Sequence, residues 1–166
     1  ALEVPVIAAV NGPAIGAGLD LACMCDLRVA GESAKFAESF VKLGIIPGDG
    51  GAWLIQRIIG FSKAAELTLT GETIDAAEAL KIGLVNQVVP DVELMDAARK
   101  MAARIACNPS FAVRMAKRLI WDAQSMSMGQ VLEMSAAMQA VAHATKDNAE
   151  AVNAFLEKRK PVFKGD

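Results

Sequence analysis

The amino-acid sequence predicts an α/β protein in which a parallel sheet is followed by a long helical region. Residues 4–10 (VPVIAAV) are apolar throughout, which is typical of a parallel strand covered on both faces. The small residues at 11–18 (NGPAIGAG) form a turn that leads into an apolar helical stretch at 19–24. From Gly50 onward, apolar residues recur at helical spacing, so the second half of the chain is expected to be mainly helical.

Short apolar segments at 27–30, 35–40 and 84–89 are the other candidate strands, and only the last of these lies after residue 50. Three or four strands are few for a sheet whose members are buried on both faces. We therefore expect the chain to lack sheet neighbours, which another part of the protein or another subunit would supply. Helices are predicted at 53–59, 62–70, 75–81, 91–107, 109–121, 130–145 and 148–158.

Length and composition exclude several classes of function. The 166 residues allow one domain with a helical appendage, and 54% hydrophobic against 22% charged residues indicates a globular chain. Seventeen basic and nineteen acidic residues, with no Tyr and two Trp, provide neither a basic surface nor a stacking platform for nucleic acid. No apolar run approaches the ~20 residues that a membrane span needs, and the N-terminus lacks the pattern of an export signal. We expect a cytoplasmic protein.

Cysteine and histidine are too few for several common sites. Three Cys and one His fit neither a disulfide framework nor a zinc site, and a Ser-His-Asp triad would need the single histidine, His143. No metal site is therefore expected. Cys23 and Cys25, on an apolar helical stretch, are interpreted as small buried hydrophobic residues.

The turn at Gly16, Ala17 and Gly18 is the most informative segment. At the start of a helix, backbone N–H groups have no intrahelical partner and carry the positive end of the helix dipole, and these small residues leave them uncovered. Such an end can bind a phosphate, a carboxylate or a developing oxyanion. Asp20, about one turn into the helix, is either an acid/base group or a partner of the helix dipole. The alternative is that the turn serves packing only, because it lacks the G-x-G-x-x-G pattern of nucleotide sites.

Four stretches resemble the crotonase superfamily, the family of enoyl-CoA hydratases and isomerases. They follow the family's order and span most of the chain, at residues 5–31, 42–51, 69–90 and 155–163. The resemblance implies the crotonase (ClpP/crotonase-like) fold, an α/β fold of repeated ββα units with a helical C-terminal region. In that reading, residues 1–90 belong to the spiral core and residues 91–166 form a helical region for oligomerisation and the CoA pocket. The N-terminal strands of the fold would be absent from the given chain.

The resemblance implies a coenzyme A thioester as substrate and no separate cofactor. Its carbonyl would lie in an oxyanion hole of two backbone N–H groups, of which Ala17 matches one. The second would come from a segment upstream of Val4, so we expect the chain to be the C-terminal part of a longer protein. Polarising the thioester stabilises an enolate, after which water can add or a proton can move along the acyl chain.

Two positions depart from the pattern of family hydratases, which place a glutamate at each. Asp20 stands at the first and Phe40 at the second, and this replacement weakens the case for two-carboxylate hydration. Some relatives use an acid in the loop at 46–51, where Asp49 lies, although an Asp-Gly pair is also a common turn. Glu38 is the other acid nearby.

The resemblance implies further substrate contacts. Phe40 is interpreted as a wall of the acyl pocket, and Phe155 and Lys158 match positions that line the CoA site, commonly from a neighbouring subunit. Lys158 could equally be part of a solvated basic helix end. The family's habit implies a homotrimer or a hexamer. The substrate-binding residues are expected to be Gly16, Gly18, Phe40, Pro47, Gly48, Phe155 and Lys158.

Three functions remain open from the sequence. The first is an enoyl-CoA hydratase/isomerase with Asp20 as the leading proton-transfer group, Ala17 as oxyanion donor and Asp49 as a second acid. The second is a double-bond isomerase that does not hydrate. The third is a catalytically silent relative that binds acyl-CoA, as the missing carboxylate at Phe40 suggests.

Overall fold

The structure is a computed structural model that describes residues 2–166. The chain forms two compact units. The core unit consists of Val6–Met101, and the C-terminal unit consists of 102–166 together with residues 2–5. The predicted division at residue 90 into a spiral core and an oligomerisation region stays a prediction.

Six short strands form two three-stranded sheets in the core unit. In the first sheet, β3 lies between β1 and β6 and is parallel to both. In the second sheet, β4 lies between β2, to which it is parallel, and β5, to which it is antiparallel. The strands are β1 (Ile7–Val10), β2 (Pro13–Ile15), β3 (Leu27–Gly31), β4 (Lys35–Ala37), β5 (Thr73–Asp75) and β6 (Gln87–Val89).

Eight α-helices and two short 3₁₀ turns connect and follow the strands in the described part of the chain. The 3₁₀ turns lie at Ser39–Leu43, directly after β4, and at Asp91–Glu93, directly before α5. The helices are α1 (Ala17–Met24), α2 (Gly51–Ile59), α3 (Phe61–Thr70), α4 (Ala76–Lys81), α5 (Leu94–Ala106), α6 (Ser110–Ala123), α7 (Met128–His143) and α8 (Lys146–Leu156).

The core packs around the central strand of the first sheet. Val29 and Ala30 of β3 are fully buried, as the sequence predicts for a parallel strand with neighbours on both sides. Val29 packs with Val89 and Leu94, so α5 covers one face of this sheet. The β1 residues are half-buried among the described residues, and coverage of this strand on both faces stays a prediction. β1 lies at the edge of its sheet, so it pairs on one side only.

Two strands were missed from the sequence, and three were predicted too long, since β1, β4 and β6 are shorter than the segments at 4–10, 35–40 and 84–89. β2 lies inside the small-residue turn at 11–18, and β5 lies between two helices. Each has three residues, too few to display an alternating pattern. The candidate strand at 35–40 ends at Ala37 because the chain turns into a 3₁₀ helix at Ser39.

A buried arginine ties β3 to the segment before β6. The Arg28 side chain is 6% exposed, and its guanidinium donates to the carbonyl oxygens of Leu84 at 2.7 Å and Cys25 at 2.8 Å. Its backbone N–H donates to the side chain of Asn86 at 2.8 Å, and the Asn86 N–H returns a bond to the Arg28 carbonyl. Because these carbonyls lie away from water, the guanidinium replaces the solvent they have lost.

The C-terminal unit is helical, and its tail is held by side chains of α8. The buried Asp147 accepts hydrogen bonds from the backbone N–H groups of Lys164 at 2.8 Å and Gly165 at 2.9 Å. Arg159 forms a bidentate ion pair with Glu150, with nitrogen–oxygen distances of 2.6 and 2.9 Å. Among the described residues, no helix is both long and apolar enough to cross a membrane.

We expect Arg28→Met to destabilise the protein. Met fills a similar volume but has no donor, so buried carbonyls lose their partners at a cost of about 3 kcal/mol of unfolding free energy. Urea unfolding of the whole protein measures the difference. The matched control is Arg99→Met, because Arg99 is 72% exposed on α5 and such a change is expected to stay within about 0.5 kcal/mol. Equal effects of the two substitutions would contradict this role for Arg28.

Candidate active site

The start of α1 is built around a glycine. Gly16 has a φ of 54°, and its N–H donates to the carbonyl of Ala37 at 2.8 Å, which joins the turn to β4. Its own carbonyl accepts from the N–H groups of Leu19 and Asp20 and thereby begins the helix. A Cβ at Gly16 would lie 3.3 Å from the Phe40 ring and in a backbone region that L-residues rarely adopt. Glycine is therefore required here.

Two amides at this helix start have no acceptor within the chain. Ala17 and Gly18 are exposed, and neither N–H forms a hydrogen bond with any of residues 2–166. No side chain caps the helix, because the N-cap residue is Gly16. The first turn thus presents bare N–H groups, with the positive end of the helix dipole, at the surface of the core unit. This arrangement can bind an anion.

The same helix carries a buried acid about one turn further along. Asp20 is 0% exposed, and so is Glu38, which follows β4. Both carboxyl groups converge on the backbone of Gly51, the first residue of α2. A Cβ added to Gly51 would overlap the Asp20 Oδ1 atom and lie 2.6 Å from the Glu38 Oε1 atom. Three separate elements, α1, the end of β4 and the start of α2, therefore meet at two carboxyl groups.

Burial changes the pKa of both acids. It raises the pKa of Asp20, and the negative charge of Asp49 adds to this effect, while the nearby Gly51 amide and Glu38 carboxyl group lower it. Burial, followed by the charge of Asp20, raises the pKa of Glu38 to about 8. Because a carboxyl group with a pKa near neutrality can both hold and release a proton, the pair is suited to proton transfer.

The other predicted residues near the turn lie around this pair. The half-buried Phe40 places its ring against Gly16. In the loop before α2, Pro47 is half-buried and Gly48 and Asp49 are exposed, and the charge of Asp49 acts on both buried acids.

Two predicted substrate-binding residues belong to the C-terminal unit. Phe155 is 83% exposed on α8, and Lys158 is exposed with a φ of 54°. They are not among the residues that the core unit brings together. His143 is exposed at the end of α7, and Cys23 is buried on α1. Among residues 2–166, no group of three or more His, Cys, Asp or Glu side chains is placed to bind a metal ion.

The sequence did not identify Glu38 and Gly51 as members of the site. Glu38 was noted only as a nearby acid, because nothing in its local pattern shows where its side chain points. A weak signal existed in the double glycine at 50–51, since glycine at the start of a helix often marks a close approach of the backbone to another group.

The two sheets and their helices form a mixed α/β protein, and its match to solved enoyl-CoA hydratase structures shows the crotonase fold. Comparison with known families extends this result, because the model for "Enoyl-CoA hydratase/isomerase" matches residues 1–166. The chain belongs to the enoyl-CoA hydratase/isomerase family.

Individual relatives agree with the family. The chain is 45% identical to a protein of Dictyostelium discoideum called "Probable enoyl-CoA hydratase, mitochondrial", over 96% of this chain and 57% of that protein. It is 41% identical to the 1,2-epoxyphenylacetyl-CoA isomerase of Escherichia coli, over 99% of this chain and 63% of that protein. The crystal structure of an enoyl-CoA hydratase from Bacillus anthracis superposes on this chain with a TM-score of 0.96 at 42% identity. The match covers 99% of this chain and 64% of that one. The chain thus spans less than two thirds of the length of these relatives.

We expect Gly51→Ala to be strongly destabilising. The added methyl group overlaps the Asp20 carboxyl group, so α2 or the buried acids must move, at a cost of at least about 2 kcal/mol of unfolding free energy. The control is Gly129→Ala in α7, where an added Cβ meets no atom within 4 Å and alanine favours the helix by up to ~1 kcal/mol. Urea unfolding distinguishes the two variants, and a neutral Gly51→Ala variant would disprove the close approach.

Proposed function

We propose that the whole protein is an acyl-CoA enzyme of the hydratase/isomerase type that stabilises a thioester enolate. The observation that carries this proposal is the exposed, unpartnered N–H of Ala17 at the positive end of α1. An amide fixed in a helix needs no reorganisation as charge develops on the thioester oxygen. Removal of one such donor in acyl-transfer enzymes costs about 3 kcal/mol of transition-state stabilisation.

Asp20 is the proton-transfer group of this proposal. It lies about one turn after Ala17, so the oxyanion donor and the acid are held by the same short helix. Its raised pKa supports such a role, because burial makes the Asp20 carboxylate a stronger base than an exposed aspartate. The Asp20 carboxyl group is closed to solvent. The residues that cover Asp20 must therefore move when the acyl chain binds, before a proton can be transferred.

A double-bond isomerase is the second candidate, favoured by Phe40. At the position where family hydratases have their second glutamate, this chain places an aromatic ring against Gly16. An isomerase needs only one group that removes a proton and returns it to another carbon, so the loss of a water-activating acid leaves that chemistry possible. Asp49, exposed in the loop before α2, is the other acid available for this step.

The remaining substrate contacts and the assembly are part of the same proposal. Pro47 and Gly48 would contact the acyl group from the loop, while Phe155 and Lys158 would contact coenzyme A. Phe155 is 83% exposed on α8 together with Leu156 at 70% and Val152 at 51%, and these exposed apolar side chains support a contact that covers them, either coenzyme A or a neighbouring subunit of a homotrimer or hexamer. A cytoplasmic location stays a prediction, and the name of the Dictyostelium relative points to mitochondria for that protein.

We expect Ala17→Pro to lower kcat by about 10²-fold to 10³-fold, because proline removes the N–H while remaining compatible with the first position of a helix. The control is Ala17→Ser, which keeps the amide at the same exposed position and is expected to retain turnover. Steady-state kinetics with a 2-enoyl-CoA, together with circular dichroism to verify folding, provide the measurement. Equal activity of the proline and serine variants would disprove the role of this amide.

Turnover of enoyl-CoA substrates distinguishes the candidate functions. The whole protein is incubated with a 2-enoyl-CoA and a 3-enoyl-CoA, and products are separated by chromatography. Hydration of the 2-enoyl substrate identifies a hydratase, whereas interconversion of the two without water addition identifies an isomerase. Asp20→Asn is expected to lower either activity by about 10²-fold to 10⁴-fold, because the amide cannot accept the proton. Binding of acyl-CoA without any turnover would identify a catalytically silent relative and overturn the enzymatic proposal.

A further inference from the structure

The two buried carboxyl groups beneath Gly51 have no counter-charge among residues 2–166. All four oxygens of Asp20 and Glu38 are closed to solvent, and none accepts a hydrogen bond of good geometry from any of residues 2–166. The Gly51 amide acts on Asp20 but lies outside that geometry. Such groups are rare, because an unsatisfied buried carboxylate carries a large desolvation cost.

The charged and titratable groups around the pair increase this cost. Asp49, from the loop before α2, adds negative charge that acts on both acids. Cys23, from α1, has a pKa raised to about 12, chiefly by burial, and so remains a neutral thiol. Arg28 acts on Cys23, but its guanidinium donates to main-chain carbonyls. No cation in the described part of the chain neutralises the two acids.

A single shared proton lowers the electrostatic cost of burying the two acids. Two adjacent carboxylates in a buried site cannot both remain ionised, and they titrate as one unit. When Glu38 is protonated, its O–H can donate to Asp20, because an oxygen of each side chain lies within 2.6 Å of the same point, the position of a Cβ added to Gly51. The pair then carries one negative charge, and that charge is held by a strong, charge-assisted hydrogen bond.

We infer that Asp20 and Glu38 form a carboxyl–carboxylate pair in which Glu38 holds the proton and positions Asp20 as the base. This inference rests on the proposed function, in which Asp20 moves the proton of the acyl chain. Glu38 acts through Asp20, so it is a positioning residue.

The shared proton determines the charge of the pair during the reaction. Asp20 takes a proton from an acyl carbon: an O–H bond forms, the C–H bond breaks, and its electron pair becomes part of the enolate. The pair thereby changes from one negative charge to none, and it regains the charge when Asp20 returns the proton to carbon. The Glu38 proton is not consumed. Without it, the pair would begin with two negative charges in a site that has no cation.

The pKa of Glu38 determines the pH range in which the shared proton affects stability. Burial, the charge of Asp20, a hydrogen bond with Asp20 and the charge of Asp49 raise this pKa from 4.5 to about 8. Below about pH 4.5, Glu38 is protonated in both the folded and the unfolded protein. Between 4.5 and 8, only the folded protein holds the proton, so its unfolding free energy falls as pH rises. This contribution is lost above about pH 8.

Glu38→Gln in the whole protein tests the inference. Gln has nearly the same shape and can donate an N–H to Asp20, but it cannot ionise. The control is Glu72→Gln, which removes an exposed carboxylate of the same kind. Three measurements are compared with the wild type: the infrared band of a protonated carboxyl group at neutral pH, urea unfolding from pH 4.5 to 8, and the pH profile of enoyl-CoA turnover.

We expect the infrared band to be present in the wild type and in Glu72→Gln, and absent from Glu38→Gln. Between pH 4.5 and 8, the unfolding free energy of the wild type falls because only the folded protein holds the shared proton. Glu38→Gln lacks this contribution. Wild-type turnover falls above about pH 8, when the pair loses its proton. The Glu38→Gln variant has several-fold lower turnover at neutral pH and lacks this alkaline decline. An unchanged band, or an alkaline decline that persists in Glu38→Gln, would overturn the inference.

A second variant covers the case in which Glu38→Gln does not fold. Asp20→Asn removes the second-largest cause of the raised pKa of Glu38, so the pH range of declining stability shifts to lower pH. An unshifted range would also overturn the inference. If the wild type turns over no acyl-CoA, the proposed function fails, whereas the infrared and unfolding measurements still decide whether the two acids share a proton.

Discussion

The close approach of the Gly51 backbone to the Asp20 and Glu38 carboxyl groups is the constraint on which the rest of the site depends. It brings the start of α2 against the inner face of α1 and the end of β4, and no side chain larger than hydrogen fits at residue 51. The same contact excludes water from both acids. The packing of α2 therefore depends on the charge of the two acids, because α2 can cover the carboxyl groups only if that charge is reduced.

Helix α1 combines bare amides in its first turn with a buried acid one turn later. Its first turn presents bare N–H groups at the surface, since Gly16 offers no side chain that could cap them. One turn later, Asp20 points into the core unit. A helix of eight residues thus holds a hydrogen-bond donor, which can stabilise negative charge, at a fixed separation from a carboxyl group that can accept a proton. In the proposed reaction, the first stabilises an enolate that the second creates.

The match of the family model to residues 1–166 shows that the chain belongs to the enoyl-CoA hydratase/isomerase family. The resemblance predicts two glutamates in a hydratase, and this chain has a different residue at each of the two positions. Phe40, where the resemblance to family hydratases predicts the second glutamate, packs against Gly16. The additional acid is instead Glu38, two residues earlier and on the buried side of the chain. The site therefore contains two carboxyl groups in an arrangement suited to sharing a proton, which distinguishes it from two acids that hold a water molecule between them.

By itself, the sequence determined the features that arise from neighbouring residues. These include the strand at β3, the helical second half and the glycine turn with Asp20 one turn later, because periodicity and backbone freedom are local properties. Only the tertiary structure decided that three-residue strands form at β2 and β5, and that Glu38 meets Asp20 beneath Gly51. These features depend on contacts between segments that are distant along the chain, and the shared burial of two acids leaves no periodic mark on either segment.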